Sequence, residues 1–275
     1  MIKIHSKKED YLQEFRSKIF VVKIGGEVIA QSQTLETILV DIQELLKEGI
    51  QIILVHGGGP QADEISKQWG HTPQKKEGRR ITTQRDLDVI KMLYGGTLNL
   101  DILSLLKKIG GKGMRVSGLD GDLFEVKLRD KTEFDYGYVG DIVQVDASIL
   151  HRVLEAGCLP VVSPLGVTEE GTIVNINADT IAMELAVALK AEKLIFFTNR
   201  EGIYHHHRLC RTLTTEKADT LIAKKVIVGG MKVKVENGLK ALQDGVQKVH
   251  IINGLSPHSL LKEVLTQKGV GTMLI

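Results

Sequence analysis

Four short stretches combine residue types that handle anions. The first is Lys23-Ile24-Gly25-Gly26. A lysine near the end of an apolar, strand-like run is costly to bury unless its ammonium meets an anion. The plainer alternative is a lysine that snorkels from an edge strand. The second is His56-Gly57-Gly58-Gly59-Pro60, where consecutive glycines opening a helix make a nest of N–H groups for a phosphate or carboxylate. A tight strand-to-helix turn would need the same glycines. In the third, Asn175-Ile176-Asn177-Ala178-Asp179, Asp179 either complements a helix dipole or holds lysines in position. Asn175 and Asn177 alternate along an extended segment, so only one of them faces a given ligand. The fourth, Gly229-Gly230-Met231-Lys232-Val233-Lys234, sets glycines before a lysine-bearing helix, which suits phosphate or a solvated basic face.

The elements that must position these residues follow from apolar patterning. Short β-branched runs at 19–24, 50–55, 159–162, 194–197 and 249–252 each end in glycine or polar turn residues. Between them lie helix-period segments at 34–47, 178–190 and 234–243, the first with Thr34 as N-cap and Gly49 past its end. Near-continuous apolar strands alternating with helices imply an α/β fold around a mainly parallel sheet covered on both faces. Ligands of such sheets bind beyond the carboxyl ends of the strands, so polar and glycine-rich residues at those ends are the candidates. Residues 113–146 break the alternation and read as hairpins, of a size that often forms a lid. A boundary near residue 190 divides the expected lobes: an N-terminal extension at 1–18, a lobe at 19–190 and a lobe at 191–275.

Composition narrows the function. The chain has 275 residues, 43% hydrophobic and 25% charged, with a formal charge of +2. These are values of a globular protein with no global field for nucleic acid or an anionic membrane. The apolar runs are shorter than a membrane span, and the first residues lack the apolar stretch of a signal peptide. Cys158 and Cys210 form no metal-type pair, and a reducing cytoplasm is the expected setting. The 28 glycines stand against only 12 aromatics (Phe 6, Tyr 5, Trp 1), which suggests turns where backbone approaches something closely. The chain has no G-x-x-x-x-G-K-[ST] loop, nucleophile elbow or zinc motif. His205-His206-His207 is expected to be an exposed loop, and no metal ligands are expected from the protein.

Taken together and in order, the motifs resemble those of the amino acid kinase family, and closely its acetylglutamate kinase branch. The matching stretches are FVVKIGG at 20–26, ILVHGGGPQ at 53–61, GRRIT at 78–82, VNINADTIA at 174–182, EKLIFFTNREGIY at 192–204, GGMKVKVENGL at 229–239 and VGTML at 270–274. The resemblance implies a three-layer αβα sandwich, with the acid bound by the N-terminal lobe and ATP, with Mg²⁺ held mainly by its phosphates, by the C-terminal lobe. The implied reaction moves the γ-phosphoryl of ATP to the side-chain carboxylate of N-acetyl-L-glutamate, a step towards arginine. By the same resemblance Lys23 and Lys234 neutralise the transferring phosphoryl group and Asp179 orients both. Gly58, Gly59, Arg80 and Asn175 hold the acid. Gly25, Gly26, Thr198, Asn199, Gly202, Gly230, Met231 and Lys232 lie where the family binds phosphate and nucleotide.

Two stretches depart from the family's pattern. The common G-L-R-V-T-D is here Gly78-Arg79-Arg80-Ile81-Thr82-Thr83, and T-D-V-x-G is Thr198-Asn199-Arg200-Glu201-Gly202. They put the substrate mouth and the nucleotide contact in question and leave the phosphoryl-transfer set intact. An N-acylaminoadipate substrate, or an arginine or nucleotide sensor without turnover, are the alternatives. A dehydrogenase built on the 57–62 turn leaves Lys23 and Lys234 unexplained. Ser6-x-x-Glu9 fits a capping box, and 11–18 resembles the end of a helix that interlocks dimers into hexamers in arginine-inhibited members. A helix packed on its own chain is the simpler account. A homodimer is expected, with a hexamer and arginine inhibition left open.

Overall fold

The computed structural model describes residues 2–267 and 269–275, of which 2–8 by backbone alone. Eight strands form one sheet, in the order Thr212–Leu213, Thr272–Leu274, Lys248–Asn253, Lys193–Thr198, Ile19–Ile24, Gln51–His56, Leu159–Val162 and Gly113–Val116. Every neighbouring pair is parallel except Lys248–Asn253 with Thr272–Leu274. Period-two alternation along Ile19–Ile24 feeds two apolar layers. Val21 packs with Ile53, Ile181, Leu194 and Val235 on one face, while Phe20, Val22 and Ile24 pack with Leu39, Ile52 and Leu54 on the other. Helices Ala178–Ala188 and Gly229–Gln243 cover the first face, and Ser32–Lys47 and Leu98–Lys108 cover the second. Strands buried on both sides need no polar alternation, which is why their runs are apolar almost throughout.

Several boundaries move. The helix Ser32–Lys47 begins from Gln31, so Thr34 sits in the first turn and donates its hydroxyl proton to Gln31 Oε1 at 3.3 Å. Gly49 follows its end at φ +85° as expected. The helix expected at 234–243 starts at Gly229, which places Lys232 and Lys234 within it. Helix Ala178–Ala188 stops short of Lys190, which takes a left-handed φ of +48°. Gly113–Val116 is the edge strand of the main sheet rather than part of a hairpin. Met114 and Arg115 are exposed there, so no apolar run announces the strand. Phe124–Leu128 and Gly140–Val145 do pair antiparallel. His206 and His207 form the exposed turn of a small surface hairpin, Tyr204–His205 with Arg208–Leu209.

At the N-terminus the helix Ile2–Phe15 runs through Ser6, so the expected capping box does not start it. Its Tyr11 and Leu12 pack against the second apolar layer and Phe15 is buried, so this helix docks on its own chain. The helical stretch Gln84–Lys108 is long and apolar enough by composition to cross a membrane. In the fold its Ile90, Leu98, Ile102 and Leu106 are buried in the second layer, as in a core helix. Truncating a fully buried sheet residue leaves a cavity that such packing cannot refill. Ile53→Ala is expected to destabilise the protein by about 2–5 kcal/mol, measured by denaturant melts, whereas Trp69→Ala at an exposed position stays within about 0.5 kcal/mol.

Candidate active site

At the carboxyl ends of Ile19–Ile24, Gln51–His56 and Leu159–Val162 the chain encloses a cleft. Lys23 lies on the same sheet face as Val21, under helices Ala178–Ala188 and Gly229–Gln243. Its ammonium, only 5% exposed with the whole residue, reaches Asp179 Oδ1 at 2.8 Å. Asp179 stands in the first turn of its helix, whose N-cap Asn177 accepts hydrogen bonds from the Asp179 and Thr180 N–H groups. Lys234, one turn into the helix Gly229–Gln243, donates to Asp179 Oδ2 at 3.0 Å. One carboxylate therefore joins two lysines that approach from different elements. Burial pushes the Asp179 carboxyl up, but Lys23 and Lys234 outweigh it and hold its pKa down at about 2. For Lys23, burial lowers the pKa more than Asp179 raises it, and Lys234 lowers it further.

The glycine stretch forms the floor. At Gly58 an added Cβ would lie 2.5 Å from both Leu98 Cδ1 and Tyr94 Cε1, so close approach to the helical wall demands glycine there. His56 is fully buried, its Nδ1 3.1 Å from the Gly57 carbonyl. Burial drives its pKa down to about 4, against the Gly57 hydrogen bond and with help from the Lys23 charge. It is therefore neutral near pH 7.

A two-strand hairpin, Lys75–Lys76 with Arg79–Arg80, forms one wall. Arg80 Nη2 donates to the Gly59 carbonyl at 3.0 Å and to Asp63, while Nη1 stands 3.5 Å from Asp86 Oδ1. Asp86 is held by Thr83, whose N–H and hydroxyl donate to Asp86 Oδ2 at 3.0 and 2.6 Å. Thr83 is the N-cap of helix Gln84–Met92 in a reciprocal capping box, which the Thr-x-x-acid spacing at 83–86 allows. Arg129 is paired with Asp141, and Asn175 donates to Thr82 Oγ1 at 3.1 Å.

Of the residues expected from the sequence, Lys23, Gly25, Gly26, Gly58, Gly59, Arg80, Asn175, Asp179, Gly230 and Lys234 line this one cleft. Thr198, Asn199, Gly202, Met231 and Lys232 do not. The first three lie at and beyond the end of Lys193–Thr198, where Gly202 takes φ +148° and a Cβ would meet Thr272 Oγ1 at 2.6 Å. Lys232 instead pairs with Glu236 along its helix. Tyr94, Arg79, Arg129 and Lys75 are also among its lining residues. Tyr94 and Arg129 were not foreseen, because neither belongs to a glycine turn or a strand end.

An eight-stranded sheet of this order, with two lysines joined through one carboxylate at its centre, agrees with the similarity to known proteins. The chain belongs to the amino acid kinase family, whose model matches residues 18–253. It is 39% identical to the acetylglutamate kinase of Methanocaldococcus jannaschii, over 96% of this chain and 92% of that protein. Identity to the acetylglutamate kinase of Aquifex aeolicus is also 39%, over 95% and 93%. Among solved structures, N-acetylglutamate synthase from Neisseria gonorrhoeae, complexed with coenzyme A and N-acetyl-glutamate, superposes with a TM-score of 0.89 at 26% identity. That match covers all of this chain and 63% of the synthase.

The neutral, buried His56 ties stability to pH. The unfolded chain takes up a proton at this residue near pH 6.5, but the folded chain only near 4. Protons therefore favour unfolding between those values, and stability falls as pH drops through that window. Melting temperature measured from pH 7 to 4 is expected to decline less steeply in His56→Gln than in the wild type.

Proposed function

We propose that this chain is an ATP-dependent kinase that phosphorylates the side-chain carboxylate of N-acetyl-L-glutamate, yielding N-acetyl-L-glutamyl 5-phosphate and ADP, a step towards arginine. The observation that carries this reading is the pair of lysines held on Asp179 at the carboxyl ends of the central strands. In this reaction a carboxylate oxygen attacks the γ-phosphorus, and the bond from that phosphorus to the β,γ-bridging oxygen breaks. A carboxylate is already ionised at neutral pH, so no general base is needed. The obstacle is repulsion between two anions, and phosphoryl transfer is promoted chiefly by alignment and charge neutralisation. Lys23 and Lys234 supply positive charge from two sides, and Asp179 fixes their positions. The N–H groups of Gly58 and Gly59 take the acid's reacting carboxylate, with Arg80 and Asn175 on the rest of the acid.

The acid is assigned to residues 19–190 and the nucleotide to 191–275. Gly25, Gly26 and Gly230 face the phosphates within the cleft, and Thr198, Asn199, Gly202, Met231 and Lys232 lie on the nucleotide side outside it. Of the two carboxylates among the described lining residues, Asp179 is committed to lysines and Glu27 stands alone. Such a donor set suits Mg²⁺ that arrives on ATP phosphates rather than in a protein cage. Bound in that way, the ion offsets phosphate charge.

Hydroxylamine traps acyl phosphates as hydroxamates, which gives a direct assay with Mg-ATP and N-acetyl-L-glutamate. The wild type is expected to form hydroxamate, and Lys23→Ala and Lys234→Ala to lose on the order of 100-fold or more. Hydroxamate from N-acetyl-L-aminoadipate alone would keep the chemistry and change the substrate. None from either acid, with ATP still bound, would replace the kinase by a sensor.

A further inference from the structure

Two glycine turns meet at the floor of the cleft, and one side chain behind it joins them. The strands Ile19–Ile24 and Gln51–His56 run parallel with Ile24 opposite His56. The turns that follow, Gly25-Gly26 and Gly57-Gly58-Gly59, therefore leave the sheet side by side. The Gly57 N–H donates to the Ile24 carbonyl at 2.9 Å. At Gly26 an added Cβ would lie 2.6 Å from Pro60 Cδ, 2.8 Å from Gln61 Oε1 and 3.3 Å from Gly58 Cα. The turns are in direct contact, with no room for a side chain between them.

Gln61 spans this contact. It stands in the first turn of helix Gly59–Gln68, whose N-cap is Gly58, so its backbone moves with the second turn. Its Nε2 donates to the Gly26 carbonyl of the first turn at 2.8 Å. The same carbonyl accepts the Ala30 N–H at 3.0 Å, and a peptide unit held by its oxygen is held as a plane. The amide cannot be turned over, because Oε1 would then face a carbonyl that only accepts. Oε1 itself is buried without a hydrogen-bond partner among the described residues. An unmet acceptor of this kind opposes folding, which argues that the amide is kept for what its donor holds in place. Gln61 is not among the residues lining the cleft, so it acts through the turns rather than on a ligand.

We propose that Gln61 is a positioning residue for phosphoryl transfer, whose amide fixes the turn facing the nucleotide's phosphates against the turn that takes the acid. This rests on the kinase reading above. Each turn binds its own reactant, and the tie sets the separation and alignment of the carboxylate oxygen and the γ-phosphorus. Transfer is steeply sensitive to that geometry, and a displacement of about 1 Å can cost on the order of 100-fold in rate. Binding of either reactant alone does not depend on it.

The test compares the wild type with Gln61→Met, which keeps the length of the side chain and removes the donor, and with Gln61→Ala, which removes both. Calorimetry gives the separate affinities for N-acetyl-L-glutamate and Mg-ATP, and hydroxamate formation gives kcat and KM. In both variants kcat is expected to fall roughly 10- to 100-fold, with affinities and KM values within about twofold of wild type. Wild-type kcat in Gln61→Met overturns the proposal, and a loss confined to Gln61→Ala then assigns the side chain to packing. A rise in the KM of one reactant with kcat unchanged also overturns it and moves Gln61 to that reactant's subsite. Equal weakening of both affinities, with a lowered melting temperature, overturns it in favour of a structural role. All of these leave the kinase reading standing. A wild type that binds both reactants without forming hydroxamate overturns that reading and the proposal with it.

Discussion

Two ammonium groups and one carboxylate, removed together from water, are the constraint to which the rest of the structure answers. An isolated lysine at the depth of Lys23 would surrender its proton or reshape the strand around it. Asp179 opposes this without cancelling the effect of burial on Lys23, and a single carboxylate is shared between the two lysines. Buried ion pairs are weak contributors to stability once desolvation is counted. Their worth here lies in geometry. A strand, a helix N-terminus and the second turn of another helix must meet within hydrogen-bond distance. The sheet order delivers this by placing Ile19–Ile24 at its centre, with one face turned to both helices.

The hairpin wall shows how the same physics is used differently at the edge of the cleft. Arg80, Asp63, Asp86, Thr83 and Lys75 form a closed polar network in which nearly every charge meets its opposite. A network of that kind rigidifies what it joins. It ties the hairpin to helix Gly59–Gln68 through Asp63 and to helix Gln84–Met92 through the Thr83 cap.

Much of this was legible in the sequence. Lys23 at the end of a buried run, the glycines after the next strand, and Asp179 in the first turn of a helix each had a physical reason to stand out. Their convergence is what one parallel sheet requires of strand ends. Side-chain partnerships across the fold were not legible. Asp63 and Asp141 look like ordinary solvated acids, since nothing in local spacing says that Arg80 or Arg129 will reach them. Tyr94 is hidden within a long helical pattern, and only the missing side chain at Gly58 hints that a ring stands opposite. The edge strand Gly113–Val116 was missed because exposed edges lack the apolar run that marks central strands. Ser6 misled for the opposite reason: a valid capping spacing occurred inside a helix that had already begun.

The central position of Ile19–Ile24 also shapes how the molecule is made. This strand pairs on one side with Gln51–His56 and on the other with Lys193–Thr198. The first partner leaves the ribosome soon after it, but the second is synthesised roughly 10–30 s later at ordinary elongation rates. Throughout that interval the most apolar strand of the nascent chain presents one backbone edge without its mate, a ready template for wrong pairing. The catalytic centre and the period of greatest exposure to aggregation thus share one strand, because the position that lets it meet both halves of the cleft also makes it wait for the second.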